Sequence, residues 1–341
     1  SLSNKLLMTL LPPSTAFFKL EVDRTELAKE GQEGLATEID KGLRSYENVL
    51  MNEIEVSNDR VAMFEALKHL VVSGNVLLYL TDKGLKVYPL SKFVCKRDEV
   101  GNVIEIFTKE TINPRALPAD FLEKIRQKEN YDAKTYEDDL DIYTCIKRYN
   151  DDVIWHQECK GEMIPNTQGQ SKEDVSPWIP LRFIRVDGED YGRGYVEEYR
   201  GDLITLESLM QAIIEGAAAS AKVLFLVNPN GITRASTIAK APNGAIREGS
   251  AADISVMQVG KASDFTVAQA IIQRIEQRLE MAFLTARSVQ RDAERVTAAE
   301  INLMAQELEN SLGGIYSILT QEFQLRYLKR RIHMMVRAGK V

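Results

Sequence analysis

The chain has 341 residues, 44% of them hydrophobic and 27% charged, and its formal net charge at pH 7 is −7. A chain of this length exceeds one compact core, so we expect two or more packed regions. The acidic balance argues against a protein that grips duplex DNA tightly, because such proteins are normally basic. No run approaches the roughly 18 apolar residues that a membrane-spanning helix needs, so we expect no membrane partner.

Helices are predicted over the first part of the chain. The apolar run Leu6–Leu11 is short and is followed by two prolines, so we interpret it as a buried core segment and not as a signal peptide. Apolar residues at helical spacing indicate a polar-rich helix within Glu21–Asn52. The next helix begins after Ser57-Asn58 and ends at Gly74. Its buried face is predicted to comprise Val61, Phe64, Leu67 and Val71.

From residue 75 the apolar period changes to two, which is typical of strands. Turn signals at 82–84, 100–102 and 150–152 join these strands as hairpins. Sequential hairpins make an antiparallel meander, so the fold class is predicted to be α+β and not doubly wound. The predicted segments are strands at 75–80, 85–90, 92–96, 103–111, 141–149, 153–160 and 178–186, a helix at 119–129 and a loop at 161–177.

After residue 188 the pattern becomes mainly helical. A glycine-punctuated turn at 188–194 precedes a long helix that ends in the small residues 216–220. A strand at 222–227 is closed by Asn228-Pro229-Asn230-Gly231, and the loop-rich stretch 232–264 holds a second strand at 254–259. A helix follows at 266–284, and its apolar stripe is Ala268, Ile272, Ile275, Leu279 and Phe283.

The helical pattern breaks over 286–296 and then resumes. Thr297 and Glu300 form a capping box at the start of the last helix, in which each satisfies a backbone N–H near the other. Gly313-Gly314 lies in the middle of this helix and costs about 1 kcal/mol per glycine relative to alanine, which predicts a kink or a tight crossing. The apolar face comprises Met304, Leu308, Leu312, Ile315, Leu319 and Phe323.

The cysteines and histidines give no signal of a metal or disulfide framework. Three cysteines without a CxxC pair indicate a reducing compartment and argue against disulfides or a zinc site. The histidines are too scattered to predict a metal cluster, so we interpret each as a packing or surface residue. These residues are Cys95, Cys145 and Cys159, and His69, His156 and His333.

Catalytic motifs are also missing from the sequence. It contains no Walker A motif, no complete GxGxxG, no HExxH, no GxSxG and no nucleophilic cysteine with a histidine partner. We therefore expect no enzyme activity, no catalytic residue, no cofactor and no metal.

Five motifs stand in a fixed order in the second half of the chain. They are Gly188-Glu189-Asp190-Tyr191-Gly192-Arg193; Val227-Asn228-Pro229 with Gly231-Ile232-Thr233; Asp264-Phe265-Thr266-Val267-Ala268; Val289-Gln290-Arg291 with Glu294-Arg295-Val296-Thr297-Ala298; and Glu307-Leu308-Glu309 running into 312–319. With the order helix, insert, helix, broken loop and kinked helix, they resemble the portal, or head-to-tail connector, family of short-tailed bacteriophages. The resemblance covers 188–341 well and 1–187 more faintly.

The resemblance implies a portal-type α+β fold with an antiparallel-sheet plus helix wing, a helical stem, a small α/β clip and a long kinked helix. Each stem helix of about 20–30 residues would span roughly 30–45 Å. The implied parts are a wing at 1–187, a stem helix at 188–221, a clip at 222–265, a second stem helix at 266–285, a tunnel loop at 286–296 and a wing or crown helix at 297–341.

The function that the resemblance implies is structural. About twelve copies would form a ring at one capsid vertex, through which double-stranded DNA is packaged and ejected. The implied partners are other copies of the chain, the DNA, the packaging terminase, the tail adaptor, and capsid and scaffold proteins. The implied location is the virion, after assembly in the host cytoplasm. Because the chain opens on Ser1 and family members are longer at both ends, we expect it to be part of a longer polypeptide.

Two sets of site residues follow from the resemblance. The tunnel loop would be the narrowest contact with DNA, and its basic residues are diluted by two acids, which suits weak phosphate contact; the alternative is surface or inter-subunit ion pairs of about 0–1 kcal/mol each. The clip would dock the motor and then the tail, and its strand would pair with a neighbouring copy. The loop residues are Arg287, Gln290, Arg291 and Arg295, and the clip residues are Lys222, Asn228, Asn230, Arg234, Lys240 and Arg247.

The basic residues near the end of the chain are a further candidate for DNA contact. A solvated helix face, or a bridge to a C-terminal region, explains them equally well. They are Arg326, Lys329, Arg330, Arg331 and Arg337. For the whole chain, the alternatives to a portal are a non-enzymatic intracellular adaptor with a helical arm and a β-meander that binds partners, and an enzyme whose motif is not recognisable.

Overall fold

The structure is a computed structural model. The residues that it describes are 2–13, 16–21, 36–129, 139–220, 224–242, 244–257, 262–284, 306, 312 and 314–339. The chain divides into two compact units, the first comprising Ser1–Glu198 with Arg287–Val341 and the second comprising Tyr199–Ala286.

Eleven β-strands lie within the described ranges, nine in the first unit and two in the second. The first six match the predicted strands to within one residue at each end, and β9 ends four residues earlier than predicted. The strands are β1 (Asn75–Thr81), β2 (Gly84–Pro89), β3 (Phe93–Arg97), β4 (Val103–Ile112), β5 (Leu140–Tyr149), β6 (Asp152–Cys159), β7 (Glu162–Met163), β8 (Gly169–Lys172), β9 (Trp178–Arg182), β10 (Leu224–Val227) and β11 (Ile254–Met257).

Ten α-helices lie within the same ranges, and the mixture of helices with antiparallel sheets confirms the predicted α+β class. A π-helical turn, Thr320–Leu325, separates the last two helices. The helices are α1 (Leu2–Leu10), α2 (Ala36–Val56), α3 (Asp59–Ser73), α4 (Ala119–Glu129), α5 (Tyr195–Glu198), α6 (Arg200–Ser220), α7 (Ala235–Ala239), α8 (Ala262–Ala282), α9 (Ile315–Leu319) and α10 (Arg326–Arg337).

The first unit contains two antiparallel sheets. The smaller has the order β2-β1-β9, and the larger has the order β3-β4-β5-β6-β7 with β8 also paired to β6. The sequential hairpins are therefore as predicted. The β1–β2 hairpin, however, belongs to a separate sheet and does not continue into the meander of β3 to β7. The reason is that β1 takes the distant β9 as its second neighbour, with Leu78 opposite Ile179. Both faces of β1 are largely buried, and β2 and β9 pair along its two edges, so β1 is the central strand of this sheet.

Aromatic side chains fill the core where the two sheets meet. The rings of Tyr79 and Trp178 stack with their centroids 3.9 Å apart, and the Trp155 ring meets Trp178 edge-on at 6.4 Å. Leu77 and Ile106 are buried against them, one from each sheet. This core fixes the inner faces of the sheets and leaves the opposite face of the larger sheet turned outward.

The prediction of a loop over 161–177 is wrong for the two short strands β7 and β8. Four polar or small residues form β8, so it shows no hydrophobic alternation, and its backbone pairing to β6 alone places it in the sheet. Gly169 is required at its start, because a Cβ there would lie 2.2 Å from the Trp155 ring. An edge strand of this kind depends on tertiary pairing and leaves little trace in sequence.

Helix α3 packs against α1 and the β1–β2 hairpin. Its predicted end is confirmed, since Gly74 adopts φ +73° and its N–H donates to the Leu70 carbonyl at 2.8 Å. Its predicted face is partly wrong: Leu67 and Val71 are buried, but Val61 is 66% exposed. The buried side lies next to Leu67 and Val71 and faces α1 and the β1–β2 hairpin. That side comprises Asp59, Ala62, Met63, Ala66 and Leu70.

The last helical region is broken, not merely kinked, at its glycine. Gly314 has φ +89° and N-caps helix α9, and an added Cβ would meet no atom within 4 Å. Within the described ranges, no atom approaches Gly314 closely enough to indicate the tight crossing that was the other predicted explanation. The apolar face continues through the break and the π-helical turn, as predicted for its described members. Those buried residues are Leu312, Ile315, Leu319 and Phe323.

The second unit is a pair of helices with a small insert between them. Helices α6 and α8 pack together, and β10 pairs antiparallel with β11 within the insert, which we define as residues 224–257. Both helices and both strands were predicted; the five-residue helix α7 was not.

Candidate interaction surfaces

The helix pair of the second unit is held together along its predicted stripe. Ile272 is buried, and the remaining stripe residues of α8 are half-buried. At one end of the pair, the Tyr199 and Phe283 rings lie 5.9 Å apart, between the beginning of α6 and the end of α8. The Arg278 guanidinium forms an ion pair with the Asp202 carboxylate, with Nε 3.1 Å from Oδ2, and lies over the Tyr199 ring at 5.9 Å. The two helices therefore run antiparallel, with one apolar face closed between them.

The outward faces of this helix pair also carry apolar side chains. Three lie on α6 and three on α8, and each is more than 40% exposed. A two-helix unit cannot bury both faces of each helix, so these side chains are left exposed. The residues are Ile204, Met210, Ile214, Val267, Ile271 and Met281.

The insert turns on an Asn-Pro-Asn-Gly corner, as predicted. Asn228 donates its backbone N–H to the Asp253 carbonyl at 2.8 Å, and its side-chain oxygen accepts from the Asn230 N–H at 3.1 Å. Gly231 is needed beside this corner, because a Cβ there would lie 2.3 Å from the Asp253 carboxylate carbon. Asn228 therefore shapes the corner itself, which is a structural role beyond docking.

A buried threonine braces the rest of the insert. The Thr233 hydroxyl accepts from the Ser250 N–H at 2.8 Å, and the Thr233 N–H donates to the Asp253 carboxylate at 3.1 Å. Gly249 packs against Thr233 so closely that a Cβ would lie 2.7 Å from its hydroxyl oxygen. These contacts join the two ends of a long connection, so the insert has a defined shape despite its loop-rich sequence.

The proposed clip residues are mainly on the surface. Lys222 lies outside the described residues, and the other five are exposed, so the structure offers them to a partner without showing one. Those five are Asn228, Asn230, Arg234, Lys240 and Arg247. The proposed loop residues Arg287, Gln290, Arg291 and Arg295 all lie outside the described residues, as does the predicted capping box.

The basic end of the chain does not form one surface. Arg331 is buried, and its Nε donates to the Asp59 carboxylate at 3.1 Å, with a second, shorter bond from Nη2. Both a DNA contact and a solvated face are therefore wrong for Arg331, because its charge is committed to Asp59. Arg330 is half-buried and donates to the Val175 carbonyl at 3.2 Å, and burial lowers the pKa of its guanidinium. Arg337 is exposed.

Arg326 and Lys329 lie in a groove of about 590 Å³. The same groove is lined by three carboxylates, from Asp151, Glu173 and Asp174. Lys172 also lines the groove, so a phosphate backbone would meet three acids together with three cations. The groove therefore has no single sign of charge, and it disfavours the interpretation of these two residues as a DNA contact.

One cluster with metal-ligand chemistry escaped the sequence analysis. The ligand atoms of Cys145, His156 and Glu158 lie within 4.8 Å of one another on the outer face of the larger sheet. The histidines are scattered along the chain as the sequence indicates, but strand pairing brings His156 directly opposite Cys145. The predicted turn at 150–152 would pair residue 145 with residue 157 and turn His156 to the other face. In the structure only residues 150 and 151 separate the paired residues Tyr149 and Asp152, and this register brings His156 opposite Cys145.

In the part of the chain that the structure describes, no helix is long and apolar enough to cross a membrane.

Comparisons with known proteins agree on one family. A family profile described as bacteriophage head to tail connecting protein matches residues 1–341. The portal proteins of Escherichia phage T7 and Enterobacteria phage T3 are each 42% identical over 335 residues, covering 95% of this chain and 62% of each relative. That of Enterobacteria phage SP6 is 30% identical over 334 residues, covering 95% of this chain and 63% of the relative. The chain thus spans less than two thirds of these relatives.

Among solved structures, a chain titled as the neck of a native gene transfer agent particle, computed with C12 symmetry, aligns with a TM-score of 0.36 and 10% identity. The alignment covers 83% of this chain and 76% of that chain. At this TM-score, the match does not establish a shared fold.

Proposed function

The chain belongs to the bacteriophage head-to-tail connecting protein family, and from this premise we propose that it is a subunit of a phage portal. Copies of the chain, about twelve in number, surround a channel through which double-stranded DNA is packaged and later ejected. The identity of 42% to two portal proteins over 95% of the chain supports this proposal. An intracellular adaptor is disfavoured by the same family membership.

The observation that carries the proposal is the unpaired apolar surface of the second unit. Side chains such as Ile214 on α6 and Met281 on α8 are 66% and 68% exposed. Burying a side chain of this kind against a neighbouring copy stabilises the contact by about 1–2 kcal/mol. In a ring, each helix pair has a neighbour on either side, so one chain's outward faces are covered by the next chain's.

The insert supports the proposal as the docking element, or clip. Its two-stranded sheet leaves β10 and β11 each with one unpaired edge within the described residues. An unpaired edge accepts a strand from another chain through backbone hydrogen bonds, so a neighbouring copy can pair there and staple the ring. The exposed cations Arg234, Lys240 and Arg247 then face outward to the packaging terminase and later to the tail adaptor.

The tunnel loop remains a proposal from the sequence. Arg287, Arg291 and Arg295, with Gln290, would touch the DNA backbone, and Asp292 with Glu294 would dilute their attraction. The net charge of −7 fits such weak contact, because DNA must slide through the channel.

The experiment that tests the ring replaces one exposed apolar residue with a charged one. Ile214→Glu introduces a carboxylate into the proposed contact, and we expect the ring population in sedimentation velocity to fall at least about tenfold. Val61→Glu is the matched control, because Val61 is equally exposed, at 66%, but lies on α3 in the first unit. Rings that persist in Ile214→Glu at the wild-type level would contradict the proposal.

A further inference from the structure

A thiol, an imidazole and a carboxylate converge on the outer face of the larger sheet. Cys145 on β5 stands directly opposite His156 on β6, and Glu158 lies two residues further along β6. Alternate residues of a strand point to the same face, so His156 and Glu158 share the face of Cys145. All three ligand atoms lie within 4.8 Å of one another.

From this geometry we propose that Cys145, His156 and Glu158 form a binding site for Zn²⁺. Thiolate sulfur and imidazole nitrogen are the donors that Zn²⁺ prefers, whereas Mg²⁺ and Ca²⁺ require oxygen ligands. A tetrahedral zinc site has bonds of about 2.0–2.3 Å, which separates its ligand atoms by roughly 3–4 Å. The ligand atoms now lie within 4.8 Å of one another, so metal binding requires the side chains to adjust to that range. Water, or a group from another chain, takes the fourth position.

The sheet supplies a rigid base for such a site. β5 is paired along both edges, to β4 and β6, and β6 is paired to β5 on one side and to β7 and β8 on the other. Ligands on paired strands are held with little backbone freedom, which lowers the entropy lost on metal binding. The exposed fractions of the His156 and Glu158 side chains are 26% and 39%, so the site is open to an ion from solvent.

Zinc binding exchanges one set of contacts for another. In the structure, His156 Nε2 lies 2.8 Å from Glu158 Oε1. Zn²⁺ takes the Nε2 lone pair, the ring proton resides on Nδ1, and the carboxylate oxygen binds the metal in place of the imidazole. Burial raises the pKa of the Cys145 thiol, so the thiol is protonated in the free protein. Its proton passes to solvent as the sulfur–zinc bond forms.

A second histidine–glutamate pair provides an internal control. His69 Nε2 lies 3.8 Å from Glu65 Oε1 on α3. Among the described residues, no third ligand joins that pair. A generic histidine–carboxylate affinity would therefore appear at both pairs, whereas a zinc site that requires the thiol would appear at His156 alone.

The test is a titration of the metal-free chain with Co²⁺, which reports a thiolate ligand through a sulfur-to-cobalt charge-transfer band. We expect one equivalent of Co²⁺ per chain, loss of the band when Zn²⁺ is added, and a higher Tm with Zn²⁺. The variants Cys145→Ser, His156→Gln and Glu158→Gln should each weaken Zn²⁺ binding by at least about tenfold.

The controls are Cys95→Ala and His69→Gln, which should bind Co²⁺ as the wild type does. His156 and Glu158 are partly exposed, so their variants should stay folded, and circular dichroism without metal checks this. The proposal is overturned if the wild type shows no charge-transfer band, if the band survives in Cys145→Ser, or if His69→Gln loses binding equally. None of these outcomes depends on ring assembly, so the zinc site and the portal function are tested separately.

Discussion

Asp59 is the residue on which the last helix of the chain depends. Its side chain is fully buried, and it accepts hydrogen bonds from the Arg331 guanidinium, from the Tyr327 hydroxyl at 2.5 Å and from the Leu85 N–H at 2.9 Å. Burial raises the pKa of Tyr327 far above its ordinary value, so its hydroxyl remains a donor. Residues more than 260 positions apart in the chain are thereby joined by one satisfied carboxylate.

Replacing this carboxylate should therefore be costly. Asp59→Asn leaves the buried Arg331 charge without a counter-ion, and we expect a loss of about 3–5 kcal/mol in the free energy of unfolding. Tyr327→Phe is the matched comparison, since it removes one donor to the carboxylate and keeps the ion pair, and it should cost about 1.5–3 kcal/mol. Urea denaturation measures both. If Asp59→Asn lowered the free energy of unfolding no more than Tyr327→Phe does, the ion pair would not be the main source of stability at this site.

Asp98 makes the β3–β4 hairpin sensitive to pH. Its carboxylate accepts from the Asn102 side chain at 2.9 Å and from the Asn102 and Val100 N–H groups, and these bonds, the Asn102 side chain first, hold its pKa below the ordinary 3.8. A depressed pKa contributes stability above the ordinary value, and this contribution is lost as the pH falls through the folded pKa. Asp98→Asn should therefore lower Tm at pH 7, and the gap should shrink below pH 3.8. A gap that widens in acid would refute this account.

Some residues could not be assigned from the sequence for physical reasons. Arg331 belongs to a run of basic residues, and nothing local distinguishes it from exposed Lys329, because its partner Asp59 lies far away in the chain. His156 stands opposite Cys145 only because the β5–β6 turn is one residue shorter than predicted, since the predicted turn at 150–152 would place residue 157 there. Tertiary pairing, and not residue type, decides each of these roles.

At the scale of elements, the clearest test concerns two glycines that stand in helical regions for different reasons. Gly314 has φ +89°, which an L-residue adopts only with strain, so Gly314→Ala should lower the free energy of unfolding by about 1–2 kcal/mol. Gly42 lies within α2 with no atom within 4 Å of an added Cβ, so Gly42→Ala should raise it by about 0.5–1 kcal/mol. Thermal denaturation of both variants provides the comparison. If both substitutions changed the free energy of unfolding by the same amount in the same direction, the strained backbone assigned to Gly314 would be contradicted.

The order of elements was largely predictable, because hydrophobic period and turn residues are local signals. The first six strands, helix α4 and the two long helices of the second unit follow them. The misses share one cause. The buried face of α3 is set by close contact with α1 and β2, and β8 exists only through its pairing to β6. Both features depend on contacts with elements distant in the chain, which the local sequence pattern does not reveal.

At the scale of the whole molecule, the family is established and the assembly is proposed. The order of the five motifs pointed to the portal family, and the match over residues 1–341 confirms it. The number of subunits could not come from periodicity or charge, because it depends on the angle between neighbouring copies. The acidic net charge remains informative, since it favours a protein that DNA passes through over one that DNA binds.

The most direct test of the portal assignment is negative-stain imaging of the purified chain at high concentration, with class averages viewed along the particle axis. We predict closed rings of about twelve copies around a central hole. The Ile214→Glu variant, imaged separately under the same conditions, should form few or no rings. A uniform population of monomers from the wild-type chain would contradict the account.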